Sequence, residues 1–182
     1  MDVTVRIARD QQDIREIATL AKAIWEEYYT PLLGMEQVAY MLETIQSEEA
    51  MERQRLSGMV YALILADGMP VGYYAVKDEG DRLFLSKMYI LANVRGKGVF
   101  RTAFSHVLAH AEGKKSIYLT VNKGNDSTIG VYRHMGFETT REEVSDIGHG
   151  YVMDDYIMEY VLDHGDGLDR EDRDDGDTQD EP

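Results

Sequence analysis

The sequence predicts one α/β domain of the α+β kind, a mixed sheet flanked by helices in the order βααβββαβαββ. Three observations carry this. Two stripes of apolar residues at helical spacing precede three consecutive strand-like runs, a glycine-rich loop then opens the cleanest helical stripe in the chain, and two more runs of strand formers close the body.

Val3, Val5 and Ile7 alternate as a first strand, and Asp10 stands where an N-cap belongs, ahead of Ile14, Ile17, Ala18, Ala21, Ile24, Trp25 and Tyr28 at helical spacing. After the break at Thr30-Pro31 and Gly34, Met35, Val38, Met41, Leu42 and Ile45 mark a second helix. Residues 59–66 and 71–76 are strand formers joined through Asp67-Gly68, a hairpin signal. A polar turn at 78–81 leads into a third strand at 83–90. From the glycine loop a helix runs through Phe100, Ala103, Phe104, Val107, Leu108 and Ala111 and ends near Gly113. A strand at 116–121, a helix at about 125–135 closed by Gly136, and strands near 137–144 and 151–161 complete the order.

At 182 residues and 43% hydrophobic, the chain supports one domain with a real core. It contains no cysteine, which removes disulfides and thiolate metal sites and makes a reducing cytoplasm the expected setting. No stretch approaches membrane-spanning length, and the first residues lack a basic segment followed by an apolar run, so neither a membrane nor a leader is expected. The formal net charge of -15 argues against nucleic acid as a partner. Residues 163–182 hold ten acidic residues, two arginines and one large apolar residue, Leu168, so they are read as an acidic disordered tail behind a domain at 1–162. His106 and His110, one turn apart, are read as a solvated helix face, and no metal is expected.

The chemistry concentrates at Arg95-Gly96-Lys97-Gly98. A strand, a glycine turn and a helix start form an anion site because unpaired N–H groups and the helix dipole point the same way. Gly96 and Gly98 let the backbone approach a phosphate, and Arg95, Lys97 and Arg101 make a basic patch in an acidic protein. A mononucleotide loop would need Lys-Ser/Thr after the second glycine, where Val99-Phe100 stands, and a dinucleotide fingerprint would need a third glycine and a leading βαβ unit.

This loop resembles the signature of the GNAT superfamily of acyl-CoA N-acyltransferases, Arg/Gln-x-x-Gly-x-Gly/Ala after a central strand, with Phe100 in place of the last small residue. The superfamily's second motif is matched by Asn125-Asp126-Ser127-Thr128-Ile129-Gly130-Val131-Tyr132-Arg133-His134-Met135-Gly136-Phe137, and the resemblance spans residues 3–161. It implies a mostly antiparallel sheet with helices on both faces, whose two central parallel strands splay apart to admit the pantetheine arm of acetyl-CoA. Met88, Tyr89 and Ile90 would lie on one edge of that gap and Asn122 on the other. Backbone groups of Met88 and Ile90 would hold the pantetheine, Gly96, Lys97, Gly98, Val99, Phe100 and Arg101 with Arg95 would hold the pyrophosphate, and Asn125 would complete the cofactor site.

The resemblance further implies direct acetyl transfer to a primary amine of a small molecule or peptide, without a covalent enzyme intermediate, Tyr132 being the acid that protonates the departing thiolate. A homodimer is compatible with it. Tyr28, Tyr29 and Ser86 are the candidates for lining the acceptor site. No acid stands among Phe84, Ser86 and Met88, taken as one face of the central strand. The base is therefore open among a water chain, Glu27, Tyr28, Tyr29, Glu36, His149, Asp154 and Asp155. The missing strand acid and Phe100 also motivate an alternative, a non-catalytic acyl-CoA-binding regulatory domain.

Overall fold

A computed structural model describes residues 1–162. The acidic tail expected at 163–182 lies outside the described residues.

Strand β1 (Val3–Ile7) leads through Asp10 into helix α1 (Gln11–Tyr28), and the Asp10 carboxylate accepts from the N–H of Gln12 at 2.9 Å and of Asp13 at 3.0 Å. Replacing Asp10 with alanine is therefore expected to cost about 1 kcal/mol of folding stability, read as a shifted urea midpoint at unchanged slope. The helical segment is more broken than the sequence suggests: α2 (Thr30–Leu33), α3 (Met35–Thr44) and α4 (Glu48–Leu56) follow. Helix α4 buries only Ala50 and Met51, so it shows no apolar stripe, and its start is fixed by the Ser47 hydroxyl accepting from Ala50 N–H at 3.2 Å.

Strands β2 (Met59–Ala66), β3 (Met69–Glu79) and β4 (Arg82–Ile90) form the expected meander, and β2 turns into β3 through Asp67 and Gly68, both at positive φ. Helix α5 (Val99–His110), β5 (Ser116–Asn122), α6 (Asp126–His134), β6 (Glu138–Gly148) and β7 (Tyr151–Val161) complete the domain. The sheet order is β1-β2-β3-β4-β5-β7-β6, antiparallel except between β4 and β5.

Each face of the sheet carries its own apolar cluster. One joins α5 and α6 to the sheet through Val99, Ala103, Phe104, Val107, Ile129 and Tyr132. The other joins α1, α3 and α4 through Ile14, Ile17, Trp25, Val38, Met41 and Met51. Helices on both faces are what a sheet apolar on both sides requires.

Two irregularities position the site. The parallel pairing of β4 with β5 covers only Arg82–Phe84 against Ser116–Tyr118, although β4 runs on to Ile90 and β5 to Asn122, so the two strands part beyond that point. The second is a bulge in β4: Ala75 pairs with Lys87 and Val76 with Leu85, leaving Ser86 as an extra residue. Alternation resets there. Leu83 and Leu85, then Met88 and Ile90, face the α5 side, whereas Lys87 turns toward α4 and β2. The expected common face of Phe84, Ser86 and Met88 is thereby corrected, because strict period-two counting cannot see an inserted residue.

Among the described residues, no helix is long and apolar enough to cross a membrane, and no cluster of three or more His, Asp or Glu could hold a metal. His110 is corrected from a solvated position: it is half-buried, with Nε2 3.1 Å from the Tyr74 hydroxyl, while His106 is exposed.

Candidate active site

Where β4 and β5 part, a cavity of about 1370 Å³ opens through the sheet, lined by β4 residues from Phe84 to Ile90 and β5 residues from Leu119 to Asn122. Its volume exceeds the range of roughly 300–1,000 Å³ usual for one small ligand. There is room for a long arm and a second reactant.

The mouth is the turn after β4. Gly96 and Gly98 have φ of 72° and 84°, a region where a side chain is strained, and Gly98 caps α5 with no side-chain hydrogen bond to its first turn. The N–H groups of that turn are therefore open to an anion. Arg95, Gly96, Gly98, Phe100 and Arg101 line the cavity. Arg95 is partly committed: its Nε donates to Ile90 O at 3.0 Å, and its guanidinium lies 4.7 Å from the Tyr28 ring centre. It fastens the loop to the strand end. Lys97 is exposed on the loop outside the cavity lining, and the Val99 side chain is in the core at 1% exposure, leaving its backbone N–H as its contribution.

Leu91 N–H donates to Val71 O at 2.9 Å, so β4 residues of its parity bond β3. By strand alternation the backbone groups of Met88 and Ile90 face the gap. The Asn122 carbonyl oxygen at Oδ1 accepts from Gly124 N–H at 2.9 Å, which shapes the turn below the gap. Asn125 does not line the cavity. Its Oδ1 accepts from the Tyr28 hydroxyl at 2.7 Å and from Thr128 N–H at 3.3 Å, so it caps α6 and ties it to α1. Those bonds give Asn125 a positioning role where α6 meets α1.

Tyr132, at 5% exposure, lines the cavity and packs edge-on against Phe100 at 5.8 Å and Phe137 at 5.2 Å. Phe100 thus supports Tyr132 through its ring. Among the described residues the Tyr132 hydroxyl has no hydrogen-bond partner, and burial, with a smaller contribution from Tyr29, pushes its pKa up. The phenol stays protonated at neutral pH.

On the opposite side of the sheet, Tyr29 stacks on Trp25 at 4.4 Å and meets Tyr28 at 5.1 Å and Tyr89 at 6.0 Å. Tyr28, Tyr29, Tyr89 and Ser86 all line the cavity. Of the residues open as base, Glu27, Glu36 and His149 are exposed and Asp154 pairs with Lys123 at 2.7 Å. Asp155 is different. It pairs in register with Asn122 at the end of β5, lines the cavity, and has Oδ1 buried without a hydrogen-bond partner among the described residues. Burial, then the nearby Asp154 and Glu143, raise its pKa to about 6 against an opposing pull from Lys123.

Lys87 is a buried, cavity-lining residue that sequence reasoning missed. It is 5% exposed, lines the cavity, and donates from Nζ to Gln54 Oε1 at 2.9 Å and Ser86 Oγ at 3.4 Å, 5.5 Å from the Tyr61 ring centre. Burial lowers its pKa to about 8. A lysine amid the apolar residues of a central strand was the available signal, and only the bulge at Ser86 reveals where it points.

The chain matches the model of the Acetyltransferase (GNAT) family over residues 17–137. It is similar to the peptidyl-lysine N-acetyltransferase YjaB of Salmonella typhimurium, 33% identical over 85 residues, which are 46% of this chain and 54% of that protein. The Escherichia coli protein of the same name is 32% identical over 85 residues, 46% of this chain and 53% of its own length. The matched region thus spans about half the length of these curated relatives. In fold the chain is similar to the PaiA N-acetyltransferase of Thermoplasma acidophilum in complex with coenzyme A, at TM-score 0.71 and 18% identity over 89% of this chain and 100% of that one. It is also similar to a phosphinothricin acetyltransferase of Sinorhizobium meliloti in complex with AcCoA, at TM-score 0.65 and 22% identity over 95% of each chain. With the family model covering well over half of the sequence, and with the parted strands and uncapped glycine turn in place, the chain belongs to the GNAT family of acetyltransferases.

Proposed function

We propose that the protein is an acetyl-CoA-dependent N-acetyltransferase that acetylates a primary amine of a small molecule or peptide by direct transfer, in a cytoplasmic setting. The observation that carries the reading is one cavity joining an uncapped helix start to a buried phenol and a half-buried carboxylate whose Oδ1 has no partner among the described residues. Similarity to peptidyl-lysine N-acetyltransferases supports an amine as the acceptor.

The residues present fit acetyl-CoA. Open N–H groups at Gly98 and the first turn of α5 suit a pyrophosphate, and the gap-facing backbone of Met88 and Ile90 suits an amide-bearing arm. Bound there, acetyl-CoA supplies a thioester carbonyl as electrophile. The N–H on the gap side of β4 would then stabilise the oxygen of that carbonyl as it gains charge.

An ammonium must lose a proton before it can attack, and Asp155 is the group we assign to take it. At neutral pH a carboxyl with pKa about 6 is mostly ionised yet basic enough to accept a proton. Tyr132, held neutral by burial, donates to the thiolate that leaves.

The sign of the pH dependence follows. Below about 6 Asp155 is protonated and inactive as a base, so kcat/KM should rise tenfold per unit up to that region and then level off. Asp155→Asn is expected to lower kcat/KM about 100-fold and to erase this limb, measured as thiol release across pH 5 to 9. A protein that binds acetyl-CoA and releases no thiol with any amine would favour the binding-only reading.

A further inference from the structure

Resting on the transferase reading, the acceptor end of the cavity contains a charge that amine acetylation does not need. Lys87 is a buried ammonium, and among the described residues no carboxylate lies within salt-bridge distance of it. Removing a cation from water without an opposite charge is costly, and proteins rarely accept this without a use. Its partners in the fold are an amide oxygen, a hydroxyl and a ring face, which together replace only part of its hydration.

The surroundings of Lys87 are those of an anion site. Ser86, with a hydroxyl, and Gln46, with a side-chain amide, line the same cavity, and Gln46 is 4% exposed. Gln46 Oε1 already accepts from the Tyr73 hydroxyl at 3.2 Å, which leaves its NH₂ as the group to offer. Gln54 donates to Ile45 O at 3.2 Å while accepting from Lys87, which places the neighbouring Gln46 in the surroundings of Lys87 and Ser86, and among the described residues the one cavity-lining acid, Asp155, stands on β7 with β5 between it and β4. Because β4 and β5 have parted there, the two backbones stand farther apart than the roughly 10 Å of two paired strand spacings.

We propose that Lys87, with Ser86 and Gln46, binds a carboxylate of the acceptor, which makes the natural substrate a small amino acid-like molecule whose reactive amine and carboxylate lie several bonds apart. The amine sits toward Asp155 and the thioester, and the carboxylate sits at Lys87. This narrows the acceptor class to amino-carboxylates, in which charge at both ends fixes the orientation of the molecule.

A ladder of ω-amino acids tests this, with 5-aminopentanoate, 6-aminohexanoate and 7-aminoheptanoate each compared with its carboxamide, which differs in charge but hardly in shape. The expected result is an acid-to-amide ratio of kcat/KM of about 30, the worth of one charge-assisted hydrogen bond, at the best chain length. In Lys87→Met the ratio should fall to about 1, and Lys87→Arg should retain most of it, which separates recognition from simple damage to the fold. A wild-type ratio near 1, a ratio that survives Lys87→Met, or better turnover of a lysine peptide lacking a nearby carboxylate would each overturn the proposal. If no amine is acetylated, the transferase reading fails, and calorimetric titration of 6-aminohexanoate into the CoA-saturated protein still decides the Lys87 site. Binding weakened about 30-fold by Lys87→Met supports it, and equal binding overturns it.

Discussion

Gly98→Leu is expected to weaken acetyl-CoA binding about 100-fold or more while leaving the domain folded. Gly98 has φ of 84°, and a side chain there is strained by roughly 1–2 kcal/mol, so the turn will relax away from its present path. That relaxation turns aside the N–H groups that give α5 its anion site, and each charge-assisted hydrogen bond lost is worth about 1.5–3 kcal/mol. A Cβ added at Gly98 meets no protein atom within 4 Å, so the damage falls on the backbone and on the ligand entering from outside. Calorimetric titration with acetyl-CoA measures the effect, and a melting temperature within a few degrees of wild type shows that the fold is kept. Binding unchanged by this substitution would remove the glycine turn from the site.

Tyr132→Phe is expected to lower kcat about 100- to 1,000-fold with the KM for acetyl-CoA within about threefold of wild type, the pattern of an interaction made only in the transition state. The substitution removes one oxygen and keeps the ring between Phe100 and Phe137, so the packing of α6 is preserved. Among the described residues no partner for the hydroxyl exists to be orphaned. A loss shared equally between kcat and cofactor binding would point to a packing role instead.

Much of the site was legible because its signals are local. The glycines of the 95–98 turn announce a backbone that other residues avoid, and Asn125 with Gly136 brackets a helix by capping chemistry that needs no tertiary context. The splay followed from the family resemblance, and it appears as pairing that stops at Phe84 and Tyr118. What was not legible depends on register. Ser86 is an extra residue only relative to Ala75 and Val76 on the neighbouring strand, and without that knowledge Lys87 counts onto the wrong face. Asp155 was one of several carboxylates in an acidic hairpin, and only its register partner Asn122 and the ion pair of its neighbour Asp154 with Lys123 distinguish it. Helix α4 escaped for a simpler reason, since two buried residues in nine leave no stripe to read.

Phe100, which departs from the small residue of the signature, illustrates how a local mismatch can be absorbed. Its ring lies 6.4 Å from Phe104 and 5.8 Å from Tyr132, on the cavity wall beside the helix start. The side chain that departs from the signature packs against the proposed acid. One continuous wall thus runs from Gly98 through Phe100 to Tyr132.

A crystal structure of the protein with coenzyme A tests that arrangement most directly. The pyrophosphate is expected against the backbone of the Gly96–Gly98 turn and the sulfur within about 3–4 Å of the Tyr132 hydroxyl, or one water away, with the arm between β4 and β5. Coenzyme A bound elsewhere, or β4 and β5 paired through to Ile90 and Asn122 with no arm between them, would contradict it.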